Sequence, residues 1–340
     1  MAKKREFYFK SCDGVNRIHT VEWSPEDGVV RAVLHIVHGM AERVERYDDF
    51  ARFMADKGYL VVGDDHLGHG KTAAAPTDFG YIGEDGAHLL VKDEHRLQRH
   101  MKQLYPVVPY IILGHSMGSY ITRRFISIYG DDVDACLILG TGFQSAAETG
   151  AGLTIAGLTG KLRGERHRSD FLTELGFGKY CARIVNPRTE SDWLSRDEKV
   201  VDAFKNDPLC DFIFTVDGFK ALLTLVREDC DDRTAQKVPK ELPIYILSGA
   251  EDPVGQYGEG VMKTYEQYKQ AGIENLQVKI YPEMRHEILN ELGKEEVYED
   301  ILRWTEERIS EYAQENDEAD TENDDASDSQ MDDKADSQEE

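Results

Sequence analysis

Short apolar segments separated by amphipathic stretches constrain this chain more than any other feature. Ala32 to Val37, Tyr59 to Val62, Tyr110 to Leu113, Ala135 to Leu139 and Ile244 to Leu247 are almost free of polar alternation. Strands that are apolar on both faces belong in a sheet covered on both sides, the arrangement of parallel sheets with flanking helices. Helical spacing fills the intervals. Tyr47 to Lys57 stops at Gly58, Gly86 to Leu104 stops near Pro106, and Ser119 to Tyr129 and Tyr257 to Ala271 follow. Gln277 to Tyr281 adds a strand, and Glu6 to Phe9 with Arg17 to Trp23 form an antiparallel hairpin turning near Asp13-Gly14. The expectation is an α/β fold on a mostly parallel eight-stranded sheet with helices on both faces.

Between about Phe143 and Pro239 the alternation stops and the pattern is helical and irregular. The expected organisation is a core domain of residues 1–142 and 240–312, with a helical cap of residues 143–239 inserted after the sixth strand. A last helix is expected from roughly Glu287 to Tyr312. Net charge is −25, and the last 28 residues hold 13 acidic residues against one lysine. That segment lacks aromatic residues and cannot bury enough apolar surface to fold, so residues 313–340 are expected to be a disordered tail. The first 312 residues still carry −13 and show no basic stripe, which argues against a nucleic-acid partner.

The five cysteines stand apart without Cys-x-x-Cys, and the basic N-terminus runs into a polar strand pattern without an apolar h-region. The stretch most like a membrane span, Ala135 to Leu158, is interrupted by Gln144, Glu148 and several glycines. A cytoplasmic location is expected, and nothing in the sequence specifies an oligomeric state.

Gly114-His115-Ser116-Met117-Gly118 is G-x-S-x-G between a predicted strand and a predicted helix, the context that makes the motif a nucleophile elbow. A serine hydroxyl needs a base within hydrogen-bond reach. In chains of this design the partners follow in the order acid, then histidine, from loops after late strands. Only His167 and His286 follow Ser116. His286 comes after the last predicted strand, whereas His167 lies in a charged stretch of the insertion. Asp252 follows the strand ending at Leu247. Its neighbour Glu251 competes for the role, but Pro253 fixes the turn after Asp252. The oxyanion requires two backbone N–H donors, expected from Met117 and from Met40 in His38-Gly39-Met40-Ala41-Glu42. His38 reads as a structural hydrogen-bonder in that loop.

His66 and His69, in Asp64-Asp65-His66-Leu67-Gly68-His69-Gly70, raise a metal site as one reading. A polar loop beneath the site, satisfied by backbone contacts, is the favoured one. His-Glu-x-x-His, a P-loop and the dinucleotide fingerprint are all absent from the sequence, so no metal or other cofactor is expected.

Taken together, these stretches resemble the monoacylglycerol lipase and lysophospholipase branch of the α/β-hydrolases, grouped with the serine aminopeptidases. The residues carrying the resemblance are His38 to Glu42 with Arg46-Tyr47, Asp65 to Gly70, Gly114 to Gly118, Glu251 to Gly255, and Tyr281-Pro282 with His286-Glu287. The resemblance implies a triad of Ser116, Asp252 and His286, oxyanion donors at Met40 and Met117, and a cap over the site. One departure is Arg43, which stands where the family's oxyanion loop often has a second histidine.

The expected reaction is hydrolysis of a single-chain lipid ester, a monoacylglycerol or lysophospholipid, through an acyl-enzyme. Aminopeptidase and acyltransferase activity on the same triad are the alternatives, and Asp207, Asp211 and Asp217 are acids that an amine-binding site would use. The small apolar stretch Ala151 to Leu158 suggests a lining for an acyl chain or a surface for transient membrane contact. Gly39, His115, Leu153 and Ile155 are the candidate substrate contacts.

Overall fold

The computed structural model of the protein describes residues 2–335. Its strands are β1 (Lys3–Lys10), β2 (Arg17–Ser24), β3 (Ala32–Val37), β4 (Tyr59–Asp64), β5 (Tyr110–His115), β6 (Ala135–Leu139), β7 (Ile244–Gly249) and β8 (Leu276–Tyr281). They make one sheet in the order β1-β2-β4-β3-β5-β6-β7-β8. The β1–β2 and β2–β4 pairs are antiparallel and the rest are parallel. Every residue of β3 to β7 is buried, which is why these strands read as continuous apolar runs. β1 is an edge strand, and its charged start, Lys3 to Glu6, discourages further pairing.

The helices of the first half are α1 (Asp48–Ala55), α2 (Gly86–Leu104) and α3 (Met117–Tyr129). Between β6 and β7 come α4 (Ala146–Arg163), α5 (Asp170–Phe177), α6 (Glu198–Asn206), α7 (Val216–Asp229) and α8 (Asp232–Ala235). α9 (Glu259–Ala271) and α10 (Lys294–Ala335) complete the chain. Alternate strand residues serve opposite layers. Val33, Leu60, Val62 and Ile112 pack with Leu90 and Leu97 of α2 and Ile121 and Phe125 of α3. Leu34, Ile36, Val61 and Leu113 pack with Phe50 and Met54 of α1 and Val297, Ile301 and Trp304 of α10.

The insertion shares the first of these layers, because Phe219, Leu225 and Val226 of α7 are buried in it. A small cluster of Leu194, Phe204 and Cys210 lies apart from the two main layers. Among the described residues no helix is long and apolar enough to cross a membrane.

One expectation at the C-terminal end is corrected. The last helix begins at Lys294 and not near Glu287. The preceding residues are held irregular by their own carboxylates. Glu287 pairs with Arg46, and Glu291 accepts the backbone N–H groups of Arg196 and Arg285. The helix continues to Ala335, into the segment expected as a tail. No glycine or proline interrupts residues 294–335. Residues 336–340 of that expected tail lie outside the described residues.

The strand order reverses at β3. The chain moves from β3 outward to β4, then returns to place β5 on the other side of β3. Such a switch point opens a crevice beyond the carboxyl ends of the two strands, where α/β proteins bind ligands. Here the residues leaving β3 and β5 are His38-Gly39 and Ser116.

Candidate active site

Ser116 stands between β5 and α3 with φ 56° and ψ −120°. A non-glycine residue at positive φ is costly and persists only where its surroundings fix it. The glycines two residues away on either side provide the fixing. A side chain at Gly118 would overlap the carbonyl oxygen of Val37, and one at Gly114 would overlap the backbone of Gly118. The elbow therefore presses against the end of β3. Ser116 is partly exposed, and α3 points its N-terminus at it, which favours negative charge there. Met117 is the first residue of α3, so its N–H has no acceptor within the helix.

From the other side of the crevice, the loop after β3 closes in. A Cβ on Gly39 would stand 3.0 Å from Ser116 Cβ, so only glycine lets this backbone approach the serine. Met40 follows in the turn, half-buried, and Ala41 adopts φ 55°. His38 is buried and structural. Its Nε2 accepts the His66 N–H at 3.1 Å, which leaves Nδ1 to donate to the Gly39 carbonyl at 2.7 Å. Burial and the adjacent His66 push its pKa down to about 4, consistent with a neutral ring.

Asp252 leaves the carboxyl end of β7 and His286 that of β8, adjacent strands, so a separation of 34 residues closes to a buried contact. His286 Nδ1 lies 2.9 Å from Asp252 Oδ2, and Asp252 Oδ1 accepts the Val254 N–H at 2.8 Å. A carboxylate that only accepts places the imidazole proton on Nδ1 and leaves the Nε2 lone pair free. Nε2 is buried and has no hydrogen-bond partner among the described residues. Glu251, the competing acid, is exposed.

Other predicted residues fall differently. Leu153 and Ile155 both lie on α4, but two residues apart, so they face different directions and cannot line one wall together. Ile155 packs against the core beneath the helix. His115 lies beside the site, buried, its ring centre 4.7 Å from that of His286.

Two residues near the site escaped the sequence reading. Trp193, in the insertion, packs its ring 4.9 Å from that of His286, and its carbonyl accepts the His286 N–H at 3.4 Å. Glu94, on the buried face of α2, joins Asp64 and His66 so that their ligand-type atoms lie within 4.8 Å of one another. His66 Nδ1 is 3.0 Å from Glu94 and 3.1 Å from Asp64, while its Nε2 faces the His38 carbonyl at 3.0 Å. Burial opposes charge on His66, but the two carboxylates outweigh it and raise its pKa well above the ordinary value. An imidazolium anchored in this way supports the loop that carries Gly39. The signal available in the sequence was a glutamate on the apolar face of an amphipathic helix.

The sequence model described as serine aminopeptidase, S33, matches residues 28–293. The chain belongs to that family. It is 26% identical over 304 residues to a monoacylglycerol lipase of Mycolicibacterium smegmatis, covering 88% of this chain and 96% of the relative. To the human monoglyceride lipase it is 24% identical over 294 residues, 85% and 86% of the two chains. A thermostable carboxyl esterase from Bacillus coagulans, solved in complex with glycerol, superposes with a TM-score of 0.84 at 31% identity, covering 91% of this chain and 99% of the other. The fold expected from the sequence and the enzyme class, a serine hydrolase, agree with these findings.

Proposed function

We propose that this protein is a serine carboxylester hydrolase whose nucleophile is Ser116, with His286 as general base and Asp252 as the acid that orients it. The observation that carries the reading is the buried His286–Asp252 pair with its Nε2 unpartnered among the described residues, together with the strained Ser116 elbow. In the first step His286 Nε2 takes the Ser116 proton as Oγ attacks the ester carbonyl. The N–H groups of Met117 and Met40 receive the oxyanion. His286 then gives its proton to the leaving alcohol, and the same cycle with water releases the acid. None of these steps calls for a cofactor.

The substrates are single-chain lipid esters, with a monoacylglycerol or a lysophospholipid as the specific candidates. Relatives named monoacylglycerol and monoglyceride lipases support this choice. The helical insertion, residues 143–239, acts as the cap. Its apolar exposure supports brief contact with a lipid surface: Leu162 is 82% exposed, Phe171 62% and Leu158 56%. A cytoplasmic location is in keeping with five unpaired cysteines.

The family's name invites an aminopeptidase reading, and an amine-binding site would draw on acids of the insertion. Those three are already engaged: Asp207 with Arg43, Asp211 with Lys205, and Asp217 with the N–H groups of Ile82 and Gly83. That favours the ester.

The test is hydrolysis of p-nitrophenyl esters from C2 to C16 by the wild type and Ser116→Ala. Activity should rise with chain length, and Ser116→Ala should lose about 10⁴-fold or more in kcat. A preference for acetate over decanoate would rule out the lipid substrate, and retained activity in Ser116→Ala would rule out the nucleophile.

A further inference from the structure

The buried carboxylate of Glu42 stands where three loops meet. Its Oε1 accepts the Gly39 N–H at 2.6 Å and the Tyr47 hydroxyl at 2.9 Å, and its Oε2 accepts Arg46 at 2.7 Å. Arg46 in turn grips both oxygens of Glu287, the residue after His286, at 2.6 Å each. Such bidentate guanidinium pairs fix geometry as well as charge.

A second path runs through Tyr47. Paired with a guanidinium, Glu42 is ionised and can only accept, so the single Tyr47 proton goes to it. The Tyr47 oxygen must then accept from His115 Nδ1, 3.0 Å away. The other nitrogen of that ring, Nε2, faces the backbone carbonyl of His286 at 3.2 Å, which also only accepts. Both ring nitrogens therefore donate, and His115 is an imidazolium directly before the nucleophile.

We propose that Glu42 is a positioning residue for the hydrolysis: it holds the oxyanion loop at Gly39 and, through Tyr47 and a doubly protonated His115, the backbone of the catalytic histidine. The inference rests on the assignment of Ser116 and His286 made above. The groups facing His115 are Glu42 from the oxyanion loop, Tyr47 from the turn after it, and His286 and Glu287 from the loop after β8. Burial alone would strip the proton from His115. Glu42, then Glu287 and the His286 carbonyl, outweigh that and hold its pKa above the usual histidine value.

Glu42→Gln keeps the shape and an acceptor for Gly39 but removes the charge that sustains Arg46 and His115. Steady-state kinetics on a p-nitrophenyl ester should show kcat lowered about 100-fold with KM changed less than about threefold. The alkaline limb of the kcat profile should also move to lower pH, because His115 then loses its proton sooner. Tyr47→Phe, which cuts only the relay, should shift that limb the same way with about a tenfold loss in kcat. Wild-type kcat and an unmoved limb in folded Glu42→Gln would overturn the proposal, as would a loss confined to KM. Should Glu42→Gln fail to fold, Tyr47→Phe decides by the same two readouts. Ser116→Ala runs alongside. If it keeps its activity, the catalytic assignment falls and this inference with it, whereas its expected loss beside a normal Glu42→Gln overturns the inference alone.

Discussion

Helices α3 and α4 are both rich in apolar residues, and the protein uses them in opposite ways. α3 buries ten of its 13 residues, from Met117 to Ser127, against the sheet. α4 is rich in alanine, leucine and glycine, yet of its 18 residues only Thr149, Ala156 and Gly160 are buried, and Leu158 and Leu162 face outward. Apolarity in α3 holds the Ser116 elbow in place. In α4 a narrow strip with Ile155 and Ala156 packs on the core, and Leu158 and Leu162 are left uncovered.

The sharpest way to break this contrast is at Gly118. A methyl group there meets the Val37 carbonyl, which cannot yield without moving β3. Gly118→Ala should cost about 3 kcal/mol of stability and abolish labelling of Ser116 by a fluorophosphonate probe. A thermal melt like that of the wild type would show the elbow to be less constrained than the geometry says.

Next in size is the seam between the two regions. Trp193 joins them, packing on His286 and on Tyr180 at 4.8 Å. Trp193→Ala should lower kcat about tenfold by freeing the His286 ring, with a drop of only a few degrees in Tm. Unchanged kcat on short and long esters alike would mean the insertion does not act on the histidine.

The smallest effect on the folded state belongs to α4. Leu158→Asp with Leu162→Asp should leave stability within about 0.5 kcal/mol per site and leave hydrolysis of soluble short esters intact. Hydrolysis of a micellar long-chain ester should fall about tenfold, because the charges oppose contact with lipid. An equal loss on soluble esters would place these leucines in the binding site and not on a lipid-facing surface.

What could be read from the sequence follows the same division. β3 and β6 have the expected bounds, since burial on both faces makes a strand declare itself residue by residue. β4, β5 and β7 run two residues further than expected, to Asp64, His115 and Gly249. Their ends are polar or glycine but still buried, so an apolar run understates the strand. The local turns around Ser116 and Asp252 were legible, because each follows directly on a buried strand. Trp193, Glu94 and the linking role of Glu42 were not, because each acts through partners far away in the chain. Trp193 meets a histidine 93 residues on, and Arg46, the partner of Glu42, meets a glutamate 241 residues beyond itself. The start of the last helix at Lys294 was not legible because Glu287 and Glu291 are engaged by groups distant in the chain.

The separation between Gly39 and His286 also bears on how the protein comes into being. The crevice needs β3 and β5 from the first half of the chain and β7 and β8 from its end, with the whole insertion between them. Contacts this distant along the chain are slow to form. On the proposed assignment, a nascent or truncated chain that stops before β8 has the serine elbow but lacks His286. Hydrolysis should then first appear when the final strand docks, so its onset during refolding would time completion of the sheet.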